Sequence, residues 1–361
     1  MKILVTAGGQ GTKLWPYSRN DKPKQFQPII GDTSSYQQTI ETLLQEFSAE
    51  DIFISTKRKF IKYISEQSPQ IPLRNYIVEP DIAKDRGPGE GFAFLRLSLL
   101  HPDEPFFLVQ ADCIREPGKA FLKMIRDAEK LVVEHKQFIT GGIKATEPNM
   151  GADYLQLGGN VANGGQEAFE IEKFLFRRKS LRETKELIEN FHVVAHCNHT
   201  CWYPGLMLDA YKQYRPDWYE ALMKIKDVLD KPGENEAVEK IYATMEKGST
   251  EEVTQHVMSS GKAMAILLPY KWTDVGTWGS VYEFSAAGRE NNLDGNVVTV
   301  DVSGSLVKSN YKDKLVAVAA VEDLIIVDTD DVLLIIPKNK IEKIKDIQAE
   351  IAQKHGDKKF L

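Results

Sequence analysis

The sequence predicts an α/β fold, with a mostly parallel sheet covered on both faces and a smaller β-rich unit at the C-terminal end. Three observations predict it. Between Lys2 and Gln110, short apolar and β-branched runs alternate with segments of helical spacing, the pattern of a parallel sheet flanked by helices. After Gly288 the chain turns to short β-rich runs separated by turn residues, as in a small all-β unit or a β-solenoid. No apolar run approaches the roughly 18–20 residues needed to span a membrane.

Taken in order, Lys2–Thr6 is an apolar run closed by glycine and reads as a buried strand. Ser34 to Phe47 places Ile40, Leu43, Leu44 and Phe47 on one helical face. Asp51–Thr56 and Asn75–Glu79 read as strands, Gly91–Leu100 as a helix, and Pro105–Gln110 as a strongly apolar strand. Gly141–Lys144 reads as a further strand and Gly158–Gly165 as a turn or loop. Ser180–Asn190 and Trp218–Leu229 are helical, with Asp230–Glu236 as a loop. The β-rich runs are Asn296–Val302, Leu315–Ala320, Leu324–Asp328 and Val332–Pro337. A terminal helix from Lys340 to Lys354 carries Ile341, Ile344, Ile347 and Ile351 on one face. The expected division is 1–287 and 288–361, consistent with about two domains for 361 residues.

A net charge of −6 argues against a general nucleic-acid binder, while leaving room for a local basic pocket. Three cysteines (Cys113, Cys197 and Cys201) are too few and odd in number for a disulfide framework. Residues 1–6 are too short for a signal-peptide core. Together these point to a soluble cytoplasmic protein.

Ligands of open α/β sheets sit beyond the carboxyl ends of strands, where Gly8–Lys13 and Asp112 both fall. A Walker A loop needs Gly-Lys-Ser/Thr, and the order here is Gly11-Thr12-Lys13. A dinucleotide fingerprint would need a third glycine, and Leu14 stands there. A third reading is a loop whose amides wrap a nucleotide, with Lys13, Arg19 and Lys24 supplying charge. The glycines alone do not separate that from a tight turn beside a solvated basic face.

The longer stretch does. "AGGQGTKLWPYSRNDKPKQF" resembles the signature of mannose-1-phosphate guanylyltransferases, A-G-G-x-G-T-R-L-W-P-x-S-R followed by P-K-Q-F, with Lys13 in place of the arginine. Glu79-Pro80 with Lys84–Pro88 resembles E-P-x-x-R-D-T-G-P with one extra residue, and Ala111-Asp112-Cys113 resembles A-D-H. Trp272–Trp278 is similar to W-x-D-V-G-x-W, and "EDLIIVDTDDVLLIIPK" to the family's C-terminal region. The resemblance covers almost the whole chain. It implies a Rossmann-like nucleotidyltransferase domain and a β-helix-like C-terminal domain, without the further domain of bifunctional members.

The resemblance implies nucleotidyl transfer between GTP and mannose 1-phosphate, with Mg2+ held by Asp112 and Asp274. Ala7, Gly8, Gly9, Gly11, Thr12, Lys13, Arg19, Lys24 and Asp85 would bind the nucleotide. Gly151, Lys179 and Gly205 would bind the sugar, and Lys13, Lys24 and Lys179 would act on the reacting phosphates. A homodimer is the expected assembly.

Three sugar-side segments depart from the family. Phe-Val-Glu-Lys-Pro becomes Phe176-Arg177-Arg178-Lys179-Ser180, so an acceptor of sugar hydroxyls becomes a cation that accepts nothing. Trp-Asn-Ser-Gly-Met becomes Trp202-Tyr203-Pro204-Gly205-Leu206, and Thr-Gly-Tyr-Gly-Tyr becomes Met150-Gly151-Ala152-Asp153-Tyr154. Two other readings therefore stay open: the same chemistry on a different sugar 1-phosphate or nucleotide, or a non-catalytic paralogue that binds a nucleotide sugar and regulates a partner. Arg177 and Arg178 could also hold a more anionic acceptor. His196–Cys201 (HCNHTC) resembles a zinc cluster in composition, but zinc sites draw ligand pairs from separated segments, so ordinary packing is expected there.

Overall fold

The computed structural model describes residues 1–9, 11–161, 167–286, 290–311, 313–355 and 360–361. In chain order the elements are β1 (Lys2–Thr6), α1 (Ser35–Leu43), β2 (Ile52–Lys57), α2 (Ile61–Gln67), β3 (Tyr76–Glu79), α3 (Arg86–Leu100), β4 (Phe106–Gln110), β5 (Cys113–Glu116) and α4 (Gly118–His135). There follow β6 (Phe138–Lys144), β7 (Tyr154–Val161), β8 (Ala168–Leu175), α5 (Leu181–Asn190), β9 (Val193–His196), β10 (Thr200–Trp202), α6 (Pro204–Tyr214), α7 (Pro216–Lys226), α8 (Glu234–Thr244), α9 (Glu251–Met258) and β11 (Ala263–Leu267). The remainder comprises β12 (Lys271–Asp274), α10 (Trp278–Ala286), β13 (Asn292–Asp294), β14 (Val297–Ser303), β15 (Leu306–Ser309), β16 (Val316–Glu322), β17 (Leu324–Asp328), β18 (Leu333–Pro337) and α11 (Ile344–His355).

Two compact units emerge. The first is built from Met1–Gly8, Thr42–Gln110 and Arg115–Lys271, and the second from Gly9–Glu41, Ala111–Ile114 and Trp272–Leu361. The expected boundary at 287/288 lies outside the described residues.

The first unit holds a ten-stranded sheet in the order β11-β8-β7-β9-β6-β10-β4-β1-β2-β3. Its β4-β1-β2-β3 block is wholly parallel, with Ile3 registered against both Ile52 and Phe107. These are the apolar runs of the sequence, and β1, β2 and β4 are buried along nearly their whole length. β10 enters antiparallel between β4 and β6, and β7 and β8 form an antiparallel hairpin. Phe94, Phe106, Tyr211 and Trp218 are fully buried in one core.

Several elements differ from expectation. α3 starts at Arg86 rather than at the expected Gly91, and its first turn contains Gly87, Pro88 and Gly89; Asp85 caps it, and proline is tolerated so near a helix start. A Cβ on Gly87 would lie 2.2 Å from the Trp218 ring, so close packing rather than a turn requires glycine there. Gly158 and Gly159 are strand residues of β7, at a register shift against β8, and residues 162–166 of that expected loop lie outside the described set. The expected 230–236 loop ends early, because α8 begins at Glu234. α4, α6 and α9 go beyond the expected elements. Pro204 and Pro216 look like breakers but stand in the first turn of α6 and α7, where a missing N–H costs nothing.

The second unit coils. β13, β15 and β17 stack in parallel, β14 and β16 stack in parallel beside them, and β18 closes the first stack antiparallel. Asp301 and Ala320, inside β14 and β16, and then Gly304 and Asp323, just beyond them, take positive φ at matching positions of successive coils. Leu306, Ile325, Val327, Leu334 and Ile336 fill the interior with Ile344 of α11, and the same core receives Leu14, Trp15 and Tyr17. The β-rich tail and the segment after the glycines therefore share one core.

Candidate nucleotide and sugar sites

In the second unit the site forms around one lysine. Lys24 sits in a single helical turn, Lys24–Phe26, and is 8% exposed. Its Nζ lies 2.7 Å from Asp112 Oδ2 and 3.2 Å from Asp274 Oδ1, and donates to the Val275 carbonyl at 3.3 Å. Burial pulls the Lys24 pKa down, but Asp112 and Asp274 more than offset this, and it ends above the ordinary lysine value. The ammonium is therefore charged at every physiological pH.

Local structure explains why the two carboxylates meet. Asp112 immediately precedes Cys113-Ile114 of β5, and Asp274 ends β12; the two strands form a two-stranded sheet. Gly276 leaves space for the second carboxylate, since a Cβ there would stand 3.1 Å from Asp274 Oδ2. Trp278 anchors the following helix by donating its indole N–H to the Trp15 carbonyl at 2.8 Å. Both aspartates are partly open, with side chains 37% and 54% exposed.

The glycine loop is fitted to the same lysine. Gly11 has φ +64°, and a Cβ there would come within 2.4 Å of Lys24 Cγ. Glycine is required twice over, by the left-handed backbone and by the lysine stem. The Gly11 carbonyl accepts from Ser18 Oγ, and the Gly9 carbonyl accepts from Gln25 Nε2 at 2.9 Å. Gly9 itself faces open space, and Lys13 is exposed. Thr12 starts the turn Thr12–Leu14. A small cavity beside Lys24 and Asp112, walled by Gln27, Ile29, Ser35 and Val275, has room for roughly one water molecule.

Arg19 is placed differently from its companions. Its guanidinium donates to both oxygens of Asp331, with Nη1 at 2.9 Å from Oδ2, and to the Pro16 carbonyl at 3.0 Å. The bond to Asp331 raises the arginine pKa and lowers that of its partner. Its fork is committed to the β17–β18 turn and is not presented to a phosphate. The reason was not visible in the motif, because Asp331 lies far along the chain.

Ala7, Gly8, Asp85, Gly151, Lys179 and Gly205 belong to the first unit. Ala7 donates its N–H to the Ser55 carbonyl at 2.8 Å. Gly8 and Gly89 crowd a buried carboxylate that the motif reading missed: a Cβ at either would lie 2.7 or 2.5 Å from Glu79. Glu79 accepts from the Tyr242 hydroxyl at 3.0 Å, and burial raises its pKa to about 7 against the opposing pull of Lys57. Asp85, at φ 68° and ψ −170°, occupies backbone space that favours glycine, and its carboxylate accepts the Arg86 N–H at 2.9 Å.

On the sugar side, Gly151 donates its N–H to Asn149 Oδ1 at 2.8 Å, and Gly205 lies open in the first turn of α6. Lys179 is exposed and donates its backbone N–H to Glu183 Oε2 at 3.2 Å, just before Ser180 caps α5. Two of the departures from the family meet here. Asp153 accepts the Arg177 backbone N–H at 2.8 Å, and the Arg177 side chain lies 3.4 Å from the same carboxylate. The bond to Asp153 thus holds the Arg177 backbone, while its guanidinium stays 62% exposed.

The HCNHTC segment packs inward. Cys197, His199 and Cys201 are buried, and the His199 Nε2 lies 2.9 Å from the Tyr270 hydroxyl. Burial pushes the Cys197 thiol up to about 12 and lowers the His196 imidazole to about 4.

Comparison with known proteins covers almost the whole chain. The nucleotidyl transferase family pattern matches residues 2–175, and that of the mannose-phosphate isomerase/GMP-like β-helix domain matches residues 295–351. A mannose-1-phosphate guanylyltransferase of Escherichia coli K12 is 29% identical over 360 residues, covering 96% of this chain and 73% of its own. The alginate biosynthesis protein AlgA of Pseudomonas aeruginosa is 24% identical, covering 96% of this chain and 71% of its own. A crystal structure described as a mannose-1-phosphate geranyltransferase from Thermus thermophilus superposes with a TM-score of 0.82 at 23% identity, covering 97% of this chain and 98% of that one, which establishes the shared fold.

Proposed function

We propose that this chain is a sugar nucleotidyltransferase of the mannose-1-phosphate guanylyltransferase type, which joins GTP and mannose 1-phosphate to give GDP-mannose and pyrophosphate. The observation that carries the proposal is the convergence of Asp112 and Asp274 on Lys24 beside the glycine loop. An oxygen of the sugar phosphate attacks the α-phosphorus of GTP. That P–O bond forms as the bond from the α-phosphorus to the β-phosphate oxygen breaks, and pyrophosphate carries away the electron pair. Little covalent work falls to the protein; it must neutralise charge and hold the attacking and leaving groups in line.

Lys24 is the fixed cation for the α-phosphate and the departing pyrophosphate, because it is buried and charged. Lys13, exposed on the loop, pairs with the outer phosphates as a point charge without arginine's fork. The amides of Gly8, Gly9 and Gly11 approach the nucleotide, and Ala7, Thr12 and Asp85 complete its contacts. Lys179 holds the sugar phosphate, with Gly151 and Gly205 giving close backbone approach to the sugar. Arg19 acts as a brace that fixes the loop through Asp331.

Nucleotidyltransferases of this family generally use a divalent metal. The residues present fit one. Asp112 and Asp274 offer hard oxygen donors already gathered about a positive charge, and no cluster of three His, Cys, Asp or Glu exists among the described residues. Two carboxylates with phosphate oxygens completing the shell suit Mg2+. When bound, the ion would offset charge on the triphosphate and polarise its phosphorus.

A second reading keeps the chemistry and changes the sugar. Arg178 stands where the family has glutamate, and Asp153 pairs with Arg177 where the family has glycine and valine. The test is pyrophosphate release from panels of nucleoside triphosphates and sugar 1-phosphates with Mg2+. Turnover with GTP and mannose 1-phosphate supports the first reading. Turnover with another sugar supports the second, and binding without turnover overturns both in favour of a regulatory paralogue. A homodimer and a cytoplasmic location belong to the same proposal and are checked by light scattering and fractionation.

A further inference from the structure

We propose that Asp153 is a positioning residue for the sugar-side segment Phe176–Ser180, and so sets affinity for the sugar 1-phosphate; this rests on Lys179 being that substrate's anchor. Asp153 immediately precedes β7 and Arg177 lies two residues beyond the end of β8, so they stand at the open end of the hairpin where Tyr154 is registered against Leu175. The Asp153 carboxylate takes the Arg177 backbone N–H at 2.8 Å, and its own carbonyl takes the His196 N–H at 2.8 Å. The carboxylate is held on both sides: it is tied to β9 through its backbone, and its side chain is only 16% exposed.

Two residues further on, the segment is fixed a second time. Lys179 donates its N–H to Glu183, and Ser180 Oγ accepts the Glu183 N–H at 3.2 Å as the cap of α5. The backbone from Arg177 to Lys179 is thus pinned at one end by Asp153 and at the other by the cap, with only Arg178 between. A glycine at position 153, the residue the family pattern places there, has no side chain to make the first of these bonds. The Arg177 guanidinium is 62% exposed at 3.4 Å, an ion pair of the kind worth little. The backbone N–H, not the charge, is the contact that positions the segment.

The variants separate these contributions. D153A removes the acceptor, D153N keeps an oxygen acceptor without the charge, and R177Q keeps the N–H and removes the guanidinium. D153A is expected to raise KM for the sugar 1-phosphate roughly tenfold while KM for the nucleoside triphosphate stays within about twofold. D153N and R177Q are expected to remain within about threefold of wild type on both. Hydrogen exchange at the Arg177 amide should quicken in D153A and not in D153N. An unchanged sugar KM in D153A, an equal rise in both KM values, or an Arg177 amide as protected as in wild type overturns the proposal. Absence of wild-type turnover with every sugar 1-phosphate instead fails the enzymatic reading, and the exchange measurement still decides whether Asp153 holds the segment.

Discussion

The two sets of residues proposed to meet the nucleotide and the sugar are built in opposite ways. Around Lys24 the side chains converge: a buried ammonium, two carboxylates, a carbonyl and a glycine whose missing Cβ leaves room for the lysine stem. Around Lys179 the residues are exposed, and their positions are set by backbone hydrogen bonds to Asp153 and Glu183. The proposed nucleotidyl-transfer chemistry falls on the first set. The second set, which would choose the sugar, sits largely at exposed or half-buried positions that can change residue by residue. Three of its segments have done so while both aspartates remain.

The sharpest way to break this contrast is to remove one carboxylate. D112N or D274N is expected to reduce turnover by about a thousandfold or more, since each takes away one of the two carboxylates proposed to hold the metal. Circular dichroism should show the fold intact, because both side chains are partly solvated. Turnover within tenfold of wild type in D112N would remove Asp112 from the metal assignment.

Lys24 is next in size. K24M is expected to lower turnover by about a hundredfold. A second readout has the opposite sign. Lys24 already neutralises the two carboxylates, so without it nucleotide-free protein should bind Mn2+ roughly tenfold more tightly, as read by electron paramagnetic resonance. Equal or weaker Mn2+ binding would show that the lysine and the metal do not share those oxygens.

How legible each region was follows from the same contrast. The strands Lys2–Thr6 and Phe106–Gln110 were readable because burial on both faces leaves a nearly unbroken apolar run. The Lys24, Asp112 and Asp274 set was readable only through motifs, since the three come from distant segments. Gly158 and Gly159 misled, because glycine suggests a turn but here sits at a strand irregularity. The commitment of Arg19 to Asp331, of Arg177 to Asp153, and the burial of Glu79 were not legible at all. Each depends on a partner far away in the chain, and neither spacing nor composition marks it.

The glycine loop tests how tightly the first set is fitted. G11A places a methyl group within 2.4 Å of the Lys24 stem and on a backbone with φ +64°. The left-handed conformation alone costs about 1–2 kcal/mol for a residue with a Cβ. The lysine must also shift from its carboxylates. KM for the nucleoside triphosphate should rise by roughly tenfold with KM for the sugar unchanged. A variant that loses stability but keeps its nucleotide KM would reduce Gly11 to a turn residue.

The smallest expected effect concerns Glu79, which qualifies the contrast. It belongs to the first unit, yet it is as buried as Lys24, and among the described residues its carboxylate accepts from the Tyr242 hydroxyl rather than from a cation. Its pKa is raised to about 7, chiefly by burial. A carboxyl that binds its proton more tightly when folded favours the native state most where it is protonated. The sign follows: between the ordinary carboxylate range and pH 7 the unfolded chain has lost the proton and the folded chain has not, so stability falls as pH rises. E79Q keeps an acceptor for Tyr242 without the charge. Its melting temperature should exceed that of wild type at pH 8, and the difference should shrink as pH approaches 4. A difference independent of pH would mean that Glu79 is ionised throughout and is matched by Lys57 across the space between them.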